Sequence, residues 1–294
     1  MSAQDGPVHY LVIGHVTHDI LPDGRVTPGG TVSYASLTAA TLNGSVGVLT
    51  SAGPDFDPGR FNGKIQLVVR PAQATTTFEN LYVNGSRKQL VHAIADPLTA
   101  ADVPPQWQAT GIVHIGPVLA ECDLALLDRF APTTFFGLTP QGWMRTRGSD
   151  HLVRYRSWPN AEYFLSRSSA VVLSIEDLGG DWAIAERFAR MTQLLVVTTG
   201  ARGGVLYLNG APNSFPALAV PEVDPTGAGD IFAASFFTAL AKGTPPVRAA
   251  RFAACLASHS VTRIGLASVP QPDEIERCSV CLTEDEGREP YPGA

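Results

Sequence analysis

The chain has 294 residues, 45% hydrophobic and 16% charged, the latter below the roughly 25% of an average globular protein. That is enough apolar material for one large α/β domain or two small ones, and it excludes a disordered chain. Its 21 Lys and Arg against 27 Asp and Glu give a formal charge of −6 without a basic run, which argues against nucleic-acid or anionic-membrane partners.

The first expected strand is Tyr10–Ile13, too short and too interrupted by His9 and His15 to be a signal peptide. No apolar run approaches the roughly 20 residues that cross a bilayer, so the cytoplasm is the expected location. The Pro- and Gly-rich stretch LPDGRVTPGG reads as a turn. Apolar and small residues then recur at helical spacing from Thr31 to Leu42, and Asn43-Gly44 supplies a C-cap. Val46–Leu49 is a second buried strand. Ile65–Val69 and Thr75–Val83 alternate polar with apolar residues, and Asn84-Gly85 offers a hairpin turn into Lys88–Ile94. A small, half-solvated antiparallel sheet is expected there. Further strands are expected at Gly111–Ile115, Thr134–Gly137, Ala170–Ser174 and Leu194–Thr198, with helical stretches at Leu124–Phe130 and Ala183–Met191 between them. This alternation builds a mainly parallel sheet covered by helices on both faces. A late hairpin at Leu206–Leu208 with Asn209-Gly210, the strand-like ALAVPEV, and two helices near 228–242 and 247–261 complete the pattern.

The four cysteines are Cys122, Cys255, Cys278 and Cys281. Cys278 and Cys281 form a CxxC pair. A zinc site would require two more ligands at suitable spacing, and none stands nearby in the sequence, so the pair reads as surface thiols.

The segment that carries chemistry is Asp224-Pro225-Thr226-Gly227-Ala228-Gly229-Asp230. A strongly apolar helix follows it, so Gly227, Ala228 and Gly229 fall at a helix N-terminus. Open amides and the helix dipole there favour a phosphate, and glycine permits close approach. Asp230, in the first turn, can accept a proton from an attacking hydroxyl. By itself an Asp at this position could equally be a cap or a dipole partner. The chain has no G-x-x-x-x-G-K-[ST] and no G-x-G-x-x-G after its first strand, which removes a P-loop enzyme and a Rossmann dehydrogenase.

DPTGAGDIFAASF resembles the C-terminal signature of the ribokinase-like, or PfkB, carbohydrate kinases. Three more elements follow that family's order: GHVTHD at 14–19, PGG at 28–30, and VVTTGARGGVLYLNG at 196–210. SHSVTRIGLASVP at 258–270 is similar to its last helix and adenine-side loop. The resemblance implies a three-layer α/β fold with a mainly parallel sheet and a small antiparallel β lid, in one domain over 1–294, the lid drawn from about 14–30 and 65–95. It implies transfer of a phosphoryl group from ATP, with Mg2+ and possible K+ activation, to a hydroxyl of a small carbohydrate or cyclic polyol.

Residue by residue, it makes Asp230 the base and Gly227, Ala228 and Gly229 the anion hole. Asp19, Gly29, Gly30, Tyr34, Gln141 and Arg145 fall on the acceptor. Thr199, Gly200, Gly203, Thr226 and His259 fall beside the nucleotide. Asp177 or Glu176 would order magnesium-bound water, while Asp224 and Thr226 would hold a monovalent cation. The chain departs from ribose-type members at Tyr34, where they carry Asn, and at Ala254, where many carry Asn. The His-Asp pair at 18–19, the aromatic at 34 and TTTFEN at 75–80 are nearer to the myo-inositol kinase-like group. His15 and His18 are expected as polar lining or packing. A nucleoside kinase, a related vitamin kinase and a non-catalytic sugar- or nucleotide-binding regulator are the alternatives, and the chain is expected to act as a monomer or homodimer.

Overall fold

The computed structural model describes residues 6–283, apart from Asn62, Lys64, Asn84 and Gly85. The strands are β1 Tyr10–Ile13, β2 Thr17–Ile20, β3 Val26–Gly29, β4 Val46–Ala52, β5 Ile65–Pro71, β6 Thr76–Val83, β7 Ser86–Ala93 and β8 Ile112–Ile115. They continue as β9 Phe135–Leu138, β10 Arg145–Arg147, β11 Val153–Tyr155, β12 Ala170–Ser174, β13 Leu194–Thr198, β14 Gly204–Leu208 and β15 Ala211–Phe215. The helices are α1 Thr31–Asn43, α2 Ala161–Arg167, α3 Trp182–Ala189, α4 Ala228–Ala241, α5 Pro246–Ser260 and α6 Pro272–Cys278.

A nine-stranded sheet runs in the order β15-β14-β13-β12-β9-β8-β1-β4-β5. From β13 to β5 every neighbouring pair is parallel, and β14 and β15 add an antiparallel edge. Strand residues alternate between two cores. Tyr10, Val12, Val172 and Val196 face one, while Leu11, Ile13, Val171 and Val197 face the other. Burial on both sides explains why these strands read as unbroken apolar runs. α1, α4 and α5 cover the first face. α2, α3 and a 3-10 helix at Leu124–Arg129 cover the second. α4 is apolar almost all round because it lies between the sheet, α1 and α5. Asn209 and Gly210, both at positive φ, close the β14–β15 hairpin as the sequence anticipates.

The second sheet has the order β3-β2-β6-β7. Its hairpins β2–β3 and β6–β7 are antiparallel, and β2 joins β6 in parallel. Val83 stands opposite Ser86 in β6–β7, and the Asn84-Gly85 turn lies outside the described residues. Three expectations need correcting. β5 pairs with β4 at the edge of the large sheet, not with the small one; as an edge strand it is half-buried from Gln66 to Arg70, which gives it its mixed polar and apolar sequence. Residues 26–29 of the supposed turn form β3. ALAVPEV forms no strand; it runs between Pro216 and Pro225, which lack an N–H for a ladder.

The cysteines are corrected too. Cys278 and Cys281 are buried under α5, and Cys278 is bonded to Cys255, 23 positions earlier on that helix.

Candidate active site

The sites expected from sequence gather where the parallel strands end and helix N-termini begin, the usual crevice of such sheets. Two N-termini meet there. Gly30 (φ 84°) precedes α1, and Gly227 (φ 81°) precedes α4. A Cβ on Gly30 would stand 2.7 Å from the His15 carbonyl oxygen, so the glycine is required both by φ and by space.

Asp230 lies in the first turn of α4, half-buried. Burial pushes its pKa up to about 6, against the pull of a hydrogen bond from the Thr31 hydroxyl and of the Arg145 cation, while Asp177 and Asp19 push further up. Thr31, the first residue of α1, also accepts a 3.4 Å hydrogen bond from the Gln141 side-chain amide. A relay Gln141–Thr31–Asp230 thus orients the carboxylate. Thr31 was not singled out from sequence, although its place directly after Gly29-Gly30 was the available signal.

Arg145 stands 3.8 Å from Asp177 Oδ1. Asp177 Oδ2 accepts the Ser174 amide at 3.0 Å, so both carboxylate oxygens face partners within the chain. Burial raises the Asp177 pKa, with Arg145 opposing it. Glu176 is exposed beside it. Gln141, Arg145, Glu176 and Asp177 share a cleft of about 570 Å³ with Lys88 and Gln89 of β7. The small sheet therefore forms one wall of that cleft.

Asp19, on β2, lies across the strand pair from Thr27. A Cβ on Gly29 would fall 2.1 Å from Asp19 Oδ2, so Gly29 makes room for that carboxylate. Tyr34 differs from expectation. Its ring is buried at 2% exposure and packs against Gly227, so it offers no open face to an acceptor. Burial, with Asp19, Asp224 and Asp230 around it, pushes its hydroxyl well above the ordinary tyrosine range.

On the donor side, the Ala228 amide donates to the Pro225 carbonyl at 3.2 Å. The amides of Gly229 and Asp230 have no acceptor among the described residues, as the start of a helix requires. Gly229 is exposed, and a Cβ there would meet nothing within 4 Å. Asp224 clamps the turn: Oδ1 accepts the Thr226 amide and Oδ2 the Gly265 amide, both at 3.0 Å. Thr226 itself is exposed. The Thr199 amide and hydroxyl both donate to the Gly203 carbonyl, at 2.8 and 3.1 Å. Gly203 is buried beneath that turn, where a Cβ would collide with Phe215 O at 2.1 Å, while Gly200 is exposed. His259 lies on α5 with its ring nitrogen close to the sulfurs of Cys255 and Cys278.

Among the described residues, His15 and His18 belong to no group of three or more His, Cys, Asp or Glu side chains close enough to share a metal ion. His15 bridges Thr76 and the Asp96 carbonyl, and His18 lies 3.4 Å from Asp55. A further polar anchor had no sequence signal. The buried Glu121 carboxylate accepts the amides of His15, Val118 and Leu119, fixing the loop after β1.

A half-buried carboxylate beside open helix-terminal amides at the end of a parallel sheet is the arrangement of a phosphotransferase site. The model of the pfkB family carbohydrate kinases matches residues 181–274. An inositol 3-kinase of Oryza sativa subsp. japonica is 30% identical over 285 residues, covering 88% of this chain and 70% of the relative. A cytidine kinase of Thermococcus kodakarensis is 28% identical over 253 residues, covering 80% and 89%. Among solved structures, a pyrophosphate-dependent kinase of the ribokinase family, in complex with a pyrophosphate analogue and myo-inositol, superposes with a TM-score of 0.77 at 21% identity, over 91% of this chain and 99% of that one. The chain belongs to the pfkB family of carbohydrate kinases. Among the described residues no helix is long and apolar enough to cross a membrane.

Proposed function

We propose that the chain transfers the γ-phosphoryl group of ATP to a hydroxyl of a cyclic polyol, with myo-inositol the first acceptor to test. The observation that carries this reading is Asp230, a half-buried carboxylate whose pKa desolvation pushes up to about 6, beside the open amides of Gly229 and Asp230. The acceptor hydroxyl gives its proton to Asp230 as its oxygen attacks the γ-phosphorus. The amides at the head of α4 bind the charge gathering on the transferred group, and Gly227 lets the chain turn tightly enough to present them. Asp19 accepts hydrogen bonds from acceptor hydroxyls. Arg145 holds Asp177 and lowers the cost of ionising Asp230.

Magnesium, entering with the nucleotide, supplies positive charge to the phosphate oxygens. Glu176, exposed on the cleft, suits water-mediated contact with it better than Asp177, whose oxygens already face Ser174 and Arg145. Asp224 acts first as the clamp between the DPTGAGD turn and Gly265, which leaves potassium a secondary question. The small sheet is the lid, in one domain with the rest of the chain, and the protein works in the cytoplasm.

Tyr34 is buried and turns no ring face to the acceptor, so the polyol reading rests on Asp19 and on likeness to the inositol 3-kinases. The likeness to a cytidine kinase favours a nucleoside as the second reading. A coupled ADP-release assay over inositols, hexoses, pentoses and nucleosides decides, with pyrophosphate as an alternative donor. A higher kcat/KM for a nucleoside than for every inositol overturns the polyol reading and leaves the kinase standing.

A further inference from the structure

Cys255 and His259 are four residues apart on α5, and so lie on one face of that helix. Cys278 ends α6, which packs against it. One ligand atom from each of these three residues, two sulfurs and an imidazole nitrogen, falls within 4.8 Å of the others. Three residues beyond Cys278 comes Cys281, buried at 5% exposure in the next turn and outside the disulfide. The full pattern, Cys-x3-His on one helix facing Cys-x2-Cys at the end of the next, is the spacing by which small structural metal sites are built. The CxxC appears isolated in the sequence because its partner pair lies on the preceding helix.

We propose that in the reduced protein Cys255, His259 and Cys278 bind a zinc ion, and that Cys281, which lies outside this group of three in the oxidised form, turns in as the fourth ligand. Thiolates with one imidazole select zinc over magnesium or calcium, and four protein ligands leave no open position, which makes the site structural. A disulfide between Cys255 and Cys278 does not need the imidazole that stands beside it. In the oxidised form the two sulfurs are bonded. A dithiol reductant passes two electrons and two protons to this pair and leaves as its own disulfide. Zinc then displaces the thiol protons as it binds the resulting thiolates. The ion pins α6 to α5 and spans residues 261–271, the segment whose Gly265 amide holds Asp224.

The test is metal analysis of the full chain purified under a thiol reductant and without chelator. About one zinc per chain is expected by mass spectrometry. Cobalt in place of zinc should give thiolate-to-cobalt charge-transfer and tetrahedral d–d absorption. Cys255→Ser and Cys278→Ser should each lose the metal and these bands. Cys122→Ser, in the core on the other face of the sheet, should keep both. Should either site variant fail to fold, the wild-type chain alone decides. If the reduced, folded wild type neither carries zinc nor takes up equimolar zinc or cobalt, the proposal fails. It fails equally if metal persists in the Cys255→Ser/Cys278→Ser double variant.

Discussion

A Cβ placed on Gly227 would stand 2.3 Å from Cδ1 of Tyr34. The aromatic ring from α1 thus forms the floor on which the turn before α4 rests. Because the ring is buried, it cannot swing aside at low cost. Gly227 also sits at φ 81°, a region that L side chains rarely adopt.

Gly227→Ala is therefore expected to lower stability by about 2 kcal/mol, the sum of left-handed strain and overpacking. Turnover should fall with it, since the amides at the head of α4 would be displaced. Thermal melts and steady-state kinetics check both. A variant with an unchanged melting temperature would show that ring and turn are not in contact.

Asp230→Asn is expected to lower kcat at least about a hundredfold while ATP still binds, the lower end of general-base effects. The wild-type kcat/KM should fall as pH drops through about 6, where Asp230 takes up its proton. Stability should move the other way. The folded-state pKa lies above the usual aspartate value, so the folded chain binds this proton more tightly than the unfolded chain. The cost of ionising Asp230 appears as pH rises from about 4 to about 6 and persists above that. The Asn variant carries no such cost and should be more stable above pH 6, by up to about 3 kcal/mol. Below about pH 4 the advantage should vanish. Denaturant melts of both proteins at pH 4 and pH 8 measure it, and equal differences at the two pH values would contradict the assignment.

What the sequence revealed and what it hid divide along physical lines. β12 and β13 could be bounded to the residue because buried parallel strands are continuous apolar runs flanked by turn residues. DPTGAGD announced its helix terminus for the same local reason. The β10–β11 ribbon went unseen because it is short and largely polar, and α6 because it spans barely two turns. Thr31 beneath Asp230, Arg145 against Asp177, and His259 beside two cysteines are contacts between residues distant along the chain. No local pattern encodes them. Tyr34 was visible as unusual, but whether its ring faced a ligand or the protein depended on where α4 would pack.

Gly229→Val separates binding from folding. Since a Cβ there meets nothing within 4 Å, the side chain should be accommodated without disturbing the core. It would occupy the space through which a phosphate reaches the open amides. Turnover should collapse, with a melting temperature near that of the wild type. A folded and fully active variant would mean that the phosphate binds elsewhere.

The small sheet forms one wall of the cleft through Lys88 and Gln89, so its closure should be visible in amide exchange. Acceptor together with a non-hydrolysable ATP analogue should slow exchange across β2, β3, β6 and β7. β5, paired into the large sheet, should change little, which distinguishes the lid from a general tightening. Equal protection of β5 and β6 would count against a lid.

Asp19 ties that sheet to the chemistry. Its carboxylate fits against Gly29, and its charge reaches both Asp230 and Tyr34. If it accepts hydrogen bonds from acceptor hydroxyls, truncation leaves those hydroxyls unpaired in a closed site, a loss of about 1.5–3 kcal/mol for a bond to a charged group. Asp19→Ala should then raise KM for the acceptor by roughly ten- to a hundredfold and leave KM for ATP within about twofold. Removing a nearby negative charge should also ease ionisation of Asp230, shifting the acid limb of the pH–rate profile to lower pH. Gly29→Ala, which crowds the same carboxylate without removing it, should reproduce the KM effect but not the downward shift of the acid limb. Equal increases in KM for acceptor and ATP in Asp19→Ala would instead mark Asp19 as a support of the fold.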